Sequence, residues 1–301
     1  MKLVSFQYRG QVRAGLWLGT EALDLQHALE LRQLGGDLSS VLAIVRGGTP
    51  ALQLIAELER ELPALAAARR PAHELQLLAP IPAPARNVFC VGRNYLDHVR
   101  EGYAASGADT QLPKAPQFFT KATHTVCGPG AAVRLDPGVT SKLDYEVELA
   151  LVIGKGGRDI APDRAFEHVF GYTVANDITA RDLQRRHDQW FKGKSLDDTL
   201  PLGPWLVDRD SLGDPATLEL SLEVNGEPRQ RAQVAQMIFD IPTLIAQLSA
   251  GLTLDAGDIV ITGTPAGVGF AMEPPRYLKP GDRVVARIDR IGELSNTITG
   301  P

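Results

Sequence analysis

KLDYEVELALVIG, residues 142–154, carries two glutamates in a segment that becomes wholly apolar towards its end. In a β-strand the side chains of residues i and i+2 point to the same face, about 6.5–7 Å apart, so Glu146 and Glu148 share one face. That face continues as Ala150 and Val152, while the opposite face is apolar. The pattern predicts a strand covered on both faces from about residue 149, with the two carboxylates at the edge of the interior.

A carboxylate pair in that position needs compensation. Two ionised carboxylates about 4–5 Å apart repel by roughly 3–4 kcal/mol at an effective dielectric of 20. A cation, or a proton on one of them, removes that cost, whereas a solvated polar face would need neither. Oxygen ligands favour Mg²⁺, Mn²⁺ or Ca²⁺ over Zn²⁺. Asp144 shares this face, and we interpret it as a supporting carboxylate at the start of the strand.

GYTVANDITARDLQ, residues 171–184, offers a third carboxylate. An apolar strand ends at Asn176 and Asp177, and a helix is predicted within the residues that follow. Asp177 is either the N-cap of that helix or a metal ligand that projects from the strand end. Together with the glutamate pair, the metal hypothesis competes with the capping one.

WFKGKSLDDTLPLGPW, residues 190–205, contains a candidate cation. Its GKS triplet imitates the end of a phosphate-binding loop, but that motif requires glycine where Asp188 stands, which excludes it. Lys194 is either a solvated loop lysine or a cation that stabilises negative charge developing beside a metal.

VGRNYLDHVREG, residues 91–102, contains a candidate base. His98 and Glu101 are three residues apart, which makes them neighbours on one helical face. The carboxylate would orient the imidazole and raise its basicity, although an exposed helix with an incidental pair fits equally well. ITGTPAGVG, residues 261–269, matches no nucleotide-binding fingerprint, and Thr264 either sits in a tight turn or helps to hold a carboxylate.

Composition limits the partners and the location. The chain has 301 residues, a net charge of -5 and no long Lys/Arg block, which argues against nucleic acid and anionic membranes as partners. Two cysteines without metal-type spacing predict no disulfide framework. No apolar signal core begins the chain, and no apolar run approaches the ~18–20 residues of a membrane span. We therefore expect a soluble, cytoplasmic protein.

A proline-rich segment predicts a division of the chain into two domains. Residues 1–70 show strand patterns followed by helical spacing and form a small α+β unit. Residues 71–86 contain four prolines and form the predicted linker. Residues 87–301 carry most of the strand signals, including a predicted hairpin at Asn225-Gly226. The fold class expected is therefore α+β and rich in β-strands.

These segments, taken in order, resemble the fumarylacetoacetate hydrolase family. The similarity covers nearly all of residues 87–298 and includes GRNYLDHVRE, PQFFTKATHTVCGP, DYEVELALVIG, GYTVANDITARDLQ, WFKGKSLDDTLPLGPW, EVNGE, GDIVITGTPAGVG and YLKPGDRV. The resemblance implies a mixed, mostly antiparallel β-roll or sandwich as the catalytic domain. It also implies the small N-terminal α+β domain of longer members, and a homodimer.

The resemblance also implies roles for individual residues. The metal ligands of the family fall on Glu146, Glu148 and Asp177, and its His–Glu dyad, on a lid that orders around substrate, falls on His98 and Glu101. Lys194 matches the active-site lysine of the family. Substrate-binding positions fall on Gln184, Thr264, Arg181 and Lys121. Specificity is expected in the lid, residues 97–115, and in the loops of residues 185–191 and 270–278.

The implied substrate is a 2-oxo acid, and the implied metal is Mg²⁺, with Mn²⁺ or Ca²⁺ as alternatives. The first hypothesis is hydrolysis of a C–C bond in an acylpyruvate-type 2,4-dioxo acid, which gives pyruvate or a related keto acid and a carboxylic acid. The second is tautomerisation, isomerisation or decarboxylation of a 2-oxo diacid such as oxaloacetate or a hydroxymuconate derivative at the same site. A remote third is a non-catalytic metal-binding protein, which would need neither His98, Glu101 nor Lys194.

Overall fold

The computed structural model describes residues 1–301 and contains nineteen strands. In chain order they are β1 (Lys2–Tyr8), β2 (Gln11–Trp17), β3 (Glu21–Asp24), β4 (Arg69–Pro71), β5 (Gln76–Leu78), β6 (Val88–Gly92), β7 (Gln117–Lys121), β8 (Val126–Cys127), β9 (Ala132–Arg134), β10 (Leu143–Asp144), β11 (Val147–Ile153), β12 (Val169–Asn176), β13 (Thr179–Ala180), β14 (Leu200–Asp208), β15 (Glu219–Val224), β16 (Glu227–Gln233), β17 (Ile259–Ile261), β18 (Arg283–Ile288) and β19 (Gly292–Thr299). The strand-rich α+β class predicted from the sequence is confirmed.

Seven α-helices connect these strands. They are α1 (Leu25–Arg32), α2 (Val41–Arg60), α3 (Leu96–Ser106), α4 (Arg181–Arg186), α5 (Phe191–Lys194), α6 (Arg209–Leu212) and α7 (Ile241–Ser249). Helix α3 follows β6, α4 follows β13, and α5 comes directly after α4. The ends of β6 and β13 therefore place the predicted lid and the helix after Asp177, while the lysine segment follows that helix.

Two large sheets form the body. A 12-stranded sheet runs in the order β4-β3-β2-β1-β14-β12-β11-β17-β6-β7, with β5 paired to β1 and β8 paired to β14. A 5-stranded sheet runs in the order β16-β15-β18-β19-β9, and β10 pairs with β13. Most neighbours are antiparallel, and the parallel pairs are β8–β14, β6–β17 and β9–β19. This is the mixed, mostly antiparallel arrangement expected.

Strand β11 is buried along its whole length and faces two different cores. Its odd-numbered side chains, Val147, Leu149, Leu151 and Ile153, pack in a core shared with the 5-stranded sheet. Its even-numbered side chains, Ala150 and Val152, pack in a second core with the N-terminal helices. The prediction of a strand covered on both faces is confirmed, because apolar layers lie on each side of the sheet.

The N-terminal unit joins the same sheet. Strand β1 pairs with β14 through Lys2–Val207 and Leu3–Leu206, and the second core combines residues from both units. Strand β5 lies inside the segment predicted as a proline-bearing linker, residues 71–86, and pairs with β1. The division at residues 70 and 87 stays a prediction, as does the homodimer.

One helix, α2, has the length and apolar composition of a membrane-spanning helix by those two criteria alone. Its backbone is non-helical at Gly48, and it contains Pro50. Six of its residues are buried against the second core: Val41, Ile44, Val45, Ala51, Ile55 and Leu58. An amphipathic helix that buries one face in this way is typical of a globular core.

The predicted hairpin is confirmed. Strands β15 and β16 pair in antiparallel fashion on either side of Asn225 and Gly226. Both turn residues have positive φ, 53° and 79°. Asn-Gly is favoured there because a two-residue turn whose twist matches the flanking strands requires φ > 0 at both positions.

Candidate active site

Three carboxylates meet where β11 begins and β12 ends. Oxygen atoms of Glu146, Glu148 and Asp177 lie within 4.8 Å of one another, and all three side chains are buried. The antiparallel register pairs Val147 with Asn176, which places the following Asp177 opposite Glu146. The Asp177 backbone N–H donates to the Glu146 carbonyl at 2.8 Å. The predicted ligand set is therefore brought together by strand register.

The sequence pattern was wrong in one detail, because the predicted strand is interrupted. Strand β10 ends at Asp144 and β11 begins at Val147. The Glu146 backbone N–H leaves the sheet ladder and donates instead to the Asn176 side-chain oxygen at 3.0 Å. A side-chain acceptor thus replaces a ladder hydrogen bond at the position where the first carboxylate enters the site.

Cations surround two of the three carboxylates. The Lys194 ammonium lies 2.7 Å from Glu146 Oε2 and 2.5 Å from Asp177 Oδ2. Lys121 lies 2.8 Å from Asp177 Oδ1, and Arg181 lies 2.6 Å from Glu146 Oε1. Opposite charges at these distances stabilise the ionised form of Glu146.

Glu148 has no such partner. Its Oε2 accepts a hydrogen bond from the Gly263 backbone N–H at 2.6 Å, and no lysine or arginine forms an ion pair with it. Burial, followed by the charges of Asp177 and Glu146, raises the pKa of Glu148 well above its usual range. For Glu146, burial acts in the same direction, but Lys194 and Arg181 outweigh it and lower the pKa to about 2.

These residues fit a divalent metal ion. The donor set is three buried carboxylates, and Glu148 is the one that lacks a counter-charge, so a hard cation would complete the electrostatics of the cluster. Lys194 does not replace that cation at Glu148, since its ion pairs are with Glu146 and Asp177.

Metal addition is expected to stabilise the fold. A ligand at 100 times its Kd that binds only the native state adds about 2.7 kcal/mol to the free energy of unfolding. In a chain of this size we expect Mn²⁺ or Mg²⁺ to raise the Tm of chelator-treated protein by about 5 °C, measured by scanning calorimetry. Na⁺ at matched ionic strength is the control. An unchanged Tm at saturating Mn²⁺ would contradict the site.

The predicted His–Glu pair is formed on α3. His98 Nδ1 lies 2.8 Å from Glu101 Oε1, and Glu101 Oε2 accepts from the Gly267 backbone N–H at 2.8 Å. Glu101 as an acceptor favours the tautomer of His98 that carries its proton on Nδ1, and that tautomer has a lone pair on Nε2. Glu101 thus orients the imidazole while it ties α3 to the glycine-rich turn.

A cavity of about 390 Å³ is lined by His98 and by two of the three carboxylates, Glu146 and Glu148. The predicted site residues that line it are His98, Glu146, Glu148, Arg181, Gln184, Lys194 and Thr264. The sequence singled out no role for several others: Arg93, Tyr103, Phe119, Arg185, Asp188, Trp190 and Phe270. Five of these lie in the lid and the two loops where specificity was expected, so the sequence predicted the segments but not the individual residues.

Lys121, predicted to bind substrate, is outside the lining of this cavity. Its side chain is fully buried, and its ammonium contacts Asp177 and the Ile178 carbonyl, the latter at 2.9 Å. The Thr264 hydroxyl donates to the Val147 carbonyl at 2.9 Å and accepts from Gln230. The substrate contacts of Lys121 and Thr264 stay predictions.

Asp144 anchors the arginine of the site. It is fully buried and accepts from Arg181 Nε at 2.8 Å and from the backbone N–H groups of Gly269 and Phe270 at 2.8 and 3.1 Å. Arg181 in turn contacts Glu146, so Asp144 positions a predicted metal ligand through the guanidinium. The only signal in the sequence was the shared i, i+2 face with Glu146.

Helix α5 lies directly against α4. A Cβ atom at Gly193 would stand 2.4 Å from the Gln184 backbone nitrogen, closer than any side chain tolerates. Only glycine permits this approach, which sets Lys194 beside Arg181 and Gln184 at the edge of the cavity.

The fold brings a buried carboxylate triad that could hold a metal ion to a cavity that His98 also lines. Residues 87–299 match the fumarylacetoacetate (FAA) hydrolase C-terminal domain, and the chain belongs to this family. Family members are enzymes that include tautomerases, isomerases and hydrolases.

Three similar proteins illustrate the range of activities in the family. The oxaloacetate tautomerase YisK of Bacillus subtilis is 52% identical over 225 residues, which cover 75% of this chain and 73% of that protein. The structure of a fumarylacetoacetate hydrolase from Exiguobacterium antarcticum is 38% identical with a TM-score of 0.83, and the match covers 100% of both chains. The structure of a maleylpyruvate hydrolase from Sphingobium sp. SYK-6, in complex with manganese(II) and pyruvate, is 30% identical with a TM-score of 0.78 and covers 100% of this chain and 99% of that one.

Proposed function

We propose that this protein is a divalent-metal-dependent tautomerase of a 2-oxo diacid of the oxaloacetate type. The observation that carries the proposal is the opening of the His98 base and the Glu146–Glu148 pair onto one cavity. The 52% identity to an oxaloacetate tautomerase supports this reaction over C–C hydrolysis, the first hypothesis that the family resemblance implied.

A metal ion held by Glu146, Glu148 and Asp177 would polarise the 2-oxo group of the substrate and lower the energy of the enolate. We propose Mg²⁺ or Mn²⁺ for this position, and the manganese-bound relative supports that choice. Among the residues of the chain, Lys194 adds a positive charge at the same end of the cavity. That charge also attracts the carboxylate of the incoming acid.

Tautomerisation requires one base and a stabilised enolate. His98 Nε2 removes a proton from carbon 3 of the substrate, and Glu101 stabilises the imidazolium that results. The imidazolium then returns its proton to the 2-oxo oxygen and His98 becomes neutral again, so one proton leaves carbon and one arrives at oxygen, with no bond between carbons broken and no water consumed. Gln184 has its side-chain oxygen bonded to Arg181 at 3.2 Å, which leaves its amide N–H groups to donate to the substrate.

C–C hydrolysis is the second candidate, supported by the maleylpyruvate hydrolase similarity. The same His98 would then remove a proton from water rather than from carbon. The cavity of about 390 Å³ has room for water, whose share of liquid volume is about 30 Å³, beside a four-carbon acid.

The products separate the two reactions. Metal-loaded protein is supplied with freshly dissolved enol oxaloacetate and with a panel of acylpyruvates, and products are followed by ultraviolet absorbance and chromatography. We expect the ultraviolet band of the enol to decay faster than it does without the protein, while the total amount of oxaloacetate, keto and enol together, stays constant. Pyruvate and a carboxylic acid formed from an acylpyruvate at a higher kcat/KM would overturn the tautomerase proposal in favour of hydrolysis. Release of CO₂ from oxaloacetate would indicate decarboxylation.

His98→Asn is expected to lower kcat by about 10²–10⁴-fold, the usual contribution of a positioned acid–base group. Metal affinity should stay within about twofold, because His98 is not among the three carboxylates of the cluster. The matched control is His124→Asn, an exposed histidine outside the cavity lining. Full activity in the His98 variant would exclude it as the base.

A further inference from the structure

The cavity has two cations that no carboxylate neutralises. Of its four lysine and arginine residues, Arg181 pairs with Asp144 and Glu146, and Lys194 pairs with Glu146 and Asp177. Arg93 and Arg185 also line the cavity but form no ion pair, and both are exposed, which places them at its mouth. Positive charge is thus left over at the outer end and balanced at the inner end.

Helix α4 sets the distance between the two ends. Arg181 and Arg185 are four residues apart, about 6 Å along the axis, and so lie on one face of the helix. Both guanidinium groups stack on the Phe270 ring, at 4.5 and 5.6 Å from its centroid. The two carboxyl carbons of an extended four-carbon diacid, joined by three bonds of about 1.5 Å, lie about 4 Å apart. The rise between the two arginines exceeds that separation by about 2 Å, which is less than the length of one charge-assisted hydrogen bond.

Arg93 is held at the mouth by an unusual backbone conformation and by aromatic rings. It follows β6 with φ 55°, in the left-handed region that few non-glycine residues adopt. Its guanidinium lies 5.4 Å from the Tyr103 ring centroid and 5.8 Å from that of Trp190. Stacking occupies the face of a guanidinium and leaves most N–H groups at its edge free to donate.

We propose that Arg93 and Arg185 form a subsite for the far carboxylate of the substrate, so that the enzyme selects 2-oxo acids carrying a second negative charge. This inference rests on the proposed 2-oxo acid chemistry at the inner end of the cavity. Asp188 lines the mouth without an ion pair and opposes an anion there, but the three charges still sum to +1. Two fork-shaped donors suit a planar carboxylate.

The subsite is tested by measuring turnover of two substrates, oxaloacetate and its 4-ethyl ester. The ester keeps the 2-oxo acid end of oxaloacetate but lacks the far negative charge. We expect Arg93→Met and Arg185→Met each to raise the KM for oxaloacetate about tenfold or more, with kcat and the kinetics of the ester within twofold. Arg186→Met, an exposed arginine outside the cavity lining, is the control. Equal losses on both substrates, or none on either, would overturn the subsite.

Binding tests the subsite without turnover. Calorimetric titration of Mn²⁺-loaded protein compares N-oxalylglycine, which has a far carboxylate, with oxamate, which has only the 2-oxo acid mimic. Both arginine variants should bind N-oxalylglycine about tenfold more weakly than the parent and should bind oxamate with unchanged affinity. If the wild-type protein binds this way but does not turn over oxaloacetate, the tautomerase proposal fails and the subsite stands. Unchanged binding of N-oxalylglycine in both variants overturns the subsite alone.

Discussion

Glu148→Gln is expected to reduce metal affinity and turnover by more than about 100-fold while the metal-free protein stays as stable as the parent. Loss of residues that merely support metal ligands commonly costs 10–100-fold, and removal of a ligand charge should cost more. The fold should tolerate the change because Glu148 is the carboxylate without a cationic partner, and glutamine removes a repelling charge while it keeps the acceptor for Gly263. Calorimetric metal titration and urea unfolding measure the two effects.

The control for Glu148→Gln is Glu167→Gln, an exposed glutamate paired with Arg164 far from the cavity lining. It should leave both metal affinity and turnover unchanged. Wild-type metal affinity in Glu148→Gln would exclude this residue as a ligand. A large fall in the stability of the metal-free variant would show that the ionised carboxylate supports the fold.

Unlike Glu148→Gln, Lys194→Met is expected to lower the free energy of unfolding of the metal-free protein. The ammonium contacts two buried carboxylates, and removal of one partner from a buried ion pair commonly costs 3–5 kcal/mol. Arg181 still contacts Glu146 and Lys121 still contacts Asp177, so we expect a loss near the lower value, about 3 kcal/mol. Turnover with saturating metal should fall about 10²–10³-fold, because a charge that stabilises the enolate is lost.

Metal should partly restore the stability of Lys194→Met, since a divalent cation compensates the same carboxylates. The stabilisation on Mn²⁺ addition, measured by urea unfolding, should therefore be larger than in the parent. Lys192→Met, an exposed lysine two residues earlier in α5, is the matched control and should change neither property. A Lys194 variant with parental stability without metal would contradict the ion pairs described for it.

The local elements were predictable because their signals are short in range. The alternation in residues 142–154 predicted a strand covered on both faces, and burial along β11 bears this out. The Asn225-Gly226 pair predicted its hairpin because few residues other than asparagine and glycine accept positive φ at both turn positions. The resemblance to the family then placed three carboxylates in one site, which β11–β12 register brings together.

The charge partners were less predictable. Arg181 and Lys194 form ion pairs with carboxylates, whereas Arg93 and Arg185 form none. The residues that surround them in the sequence do not predict this difference. Lys121 illustrates the limit, since its segment matched the family but its ammonium lies behind Asp177 and outside the cavity lining. Pairing depends on which side chains converge in space, and sequence spacing does not report that convergence.

The sequence by itself determined the strand-rich class, the family and the identity of the three carboxylates, because alternation, turn chemistry and ordered motifs act within a few residues. Only the tertiary structure decided which carboxylate lacks a cation, since Glu146 and Glu148 share a strand face and differ only in what packs against them. The tertiary structure also decided that Asp144 anchors Arg181, two residues that are 37 positions apart in the chain. Coulombic interaction and desolvation depend on distances in space, and the fold sets those distances.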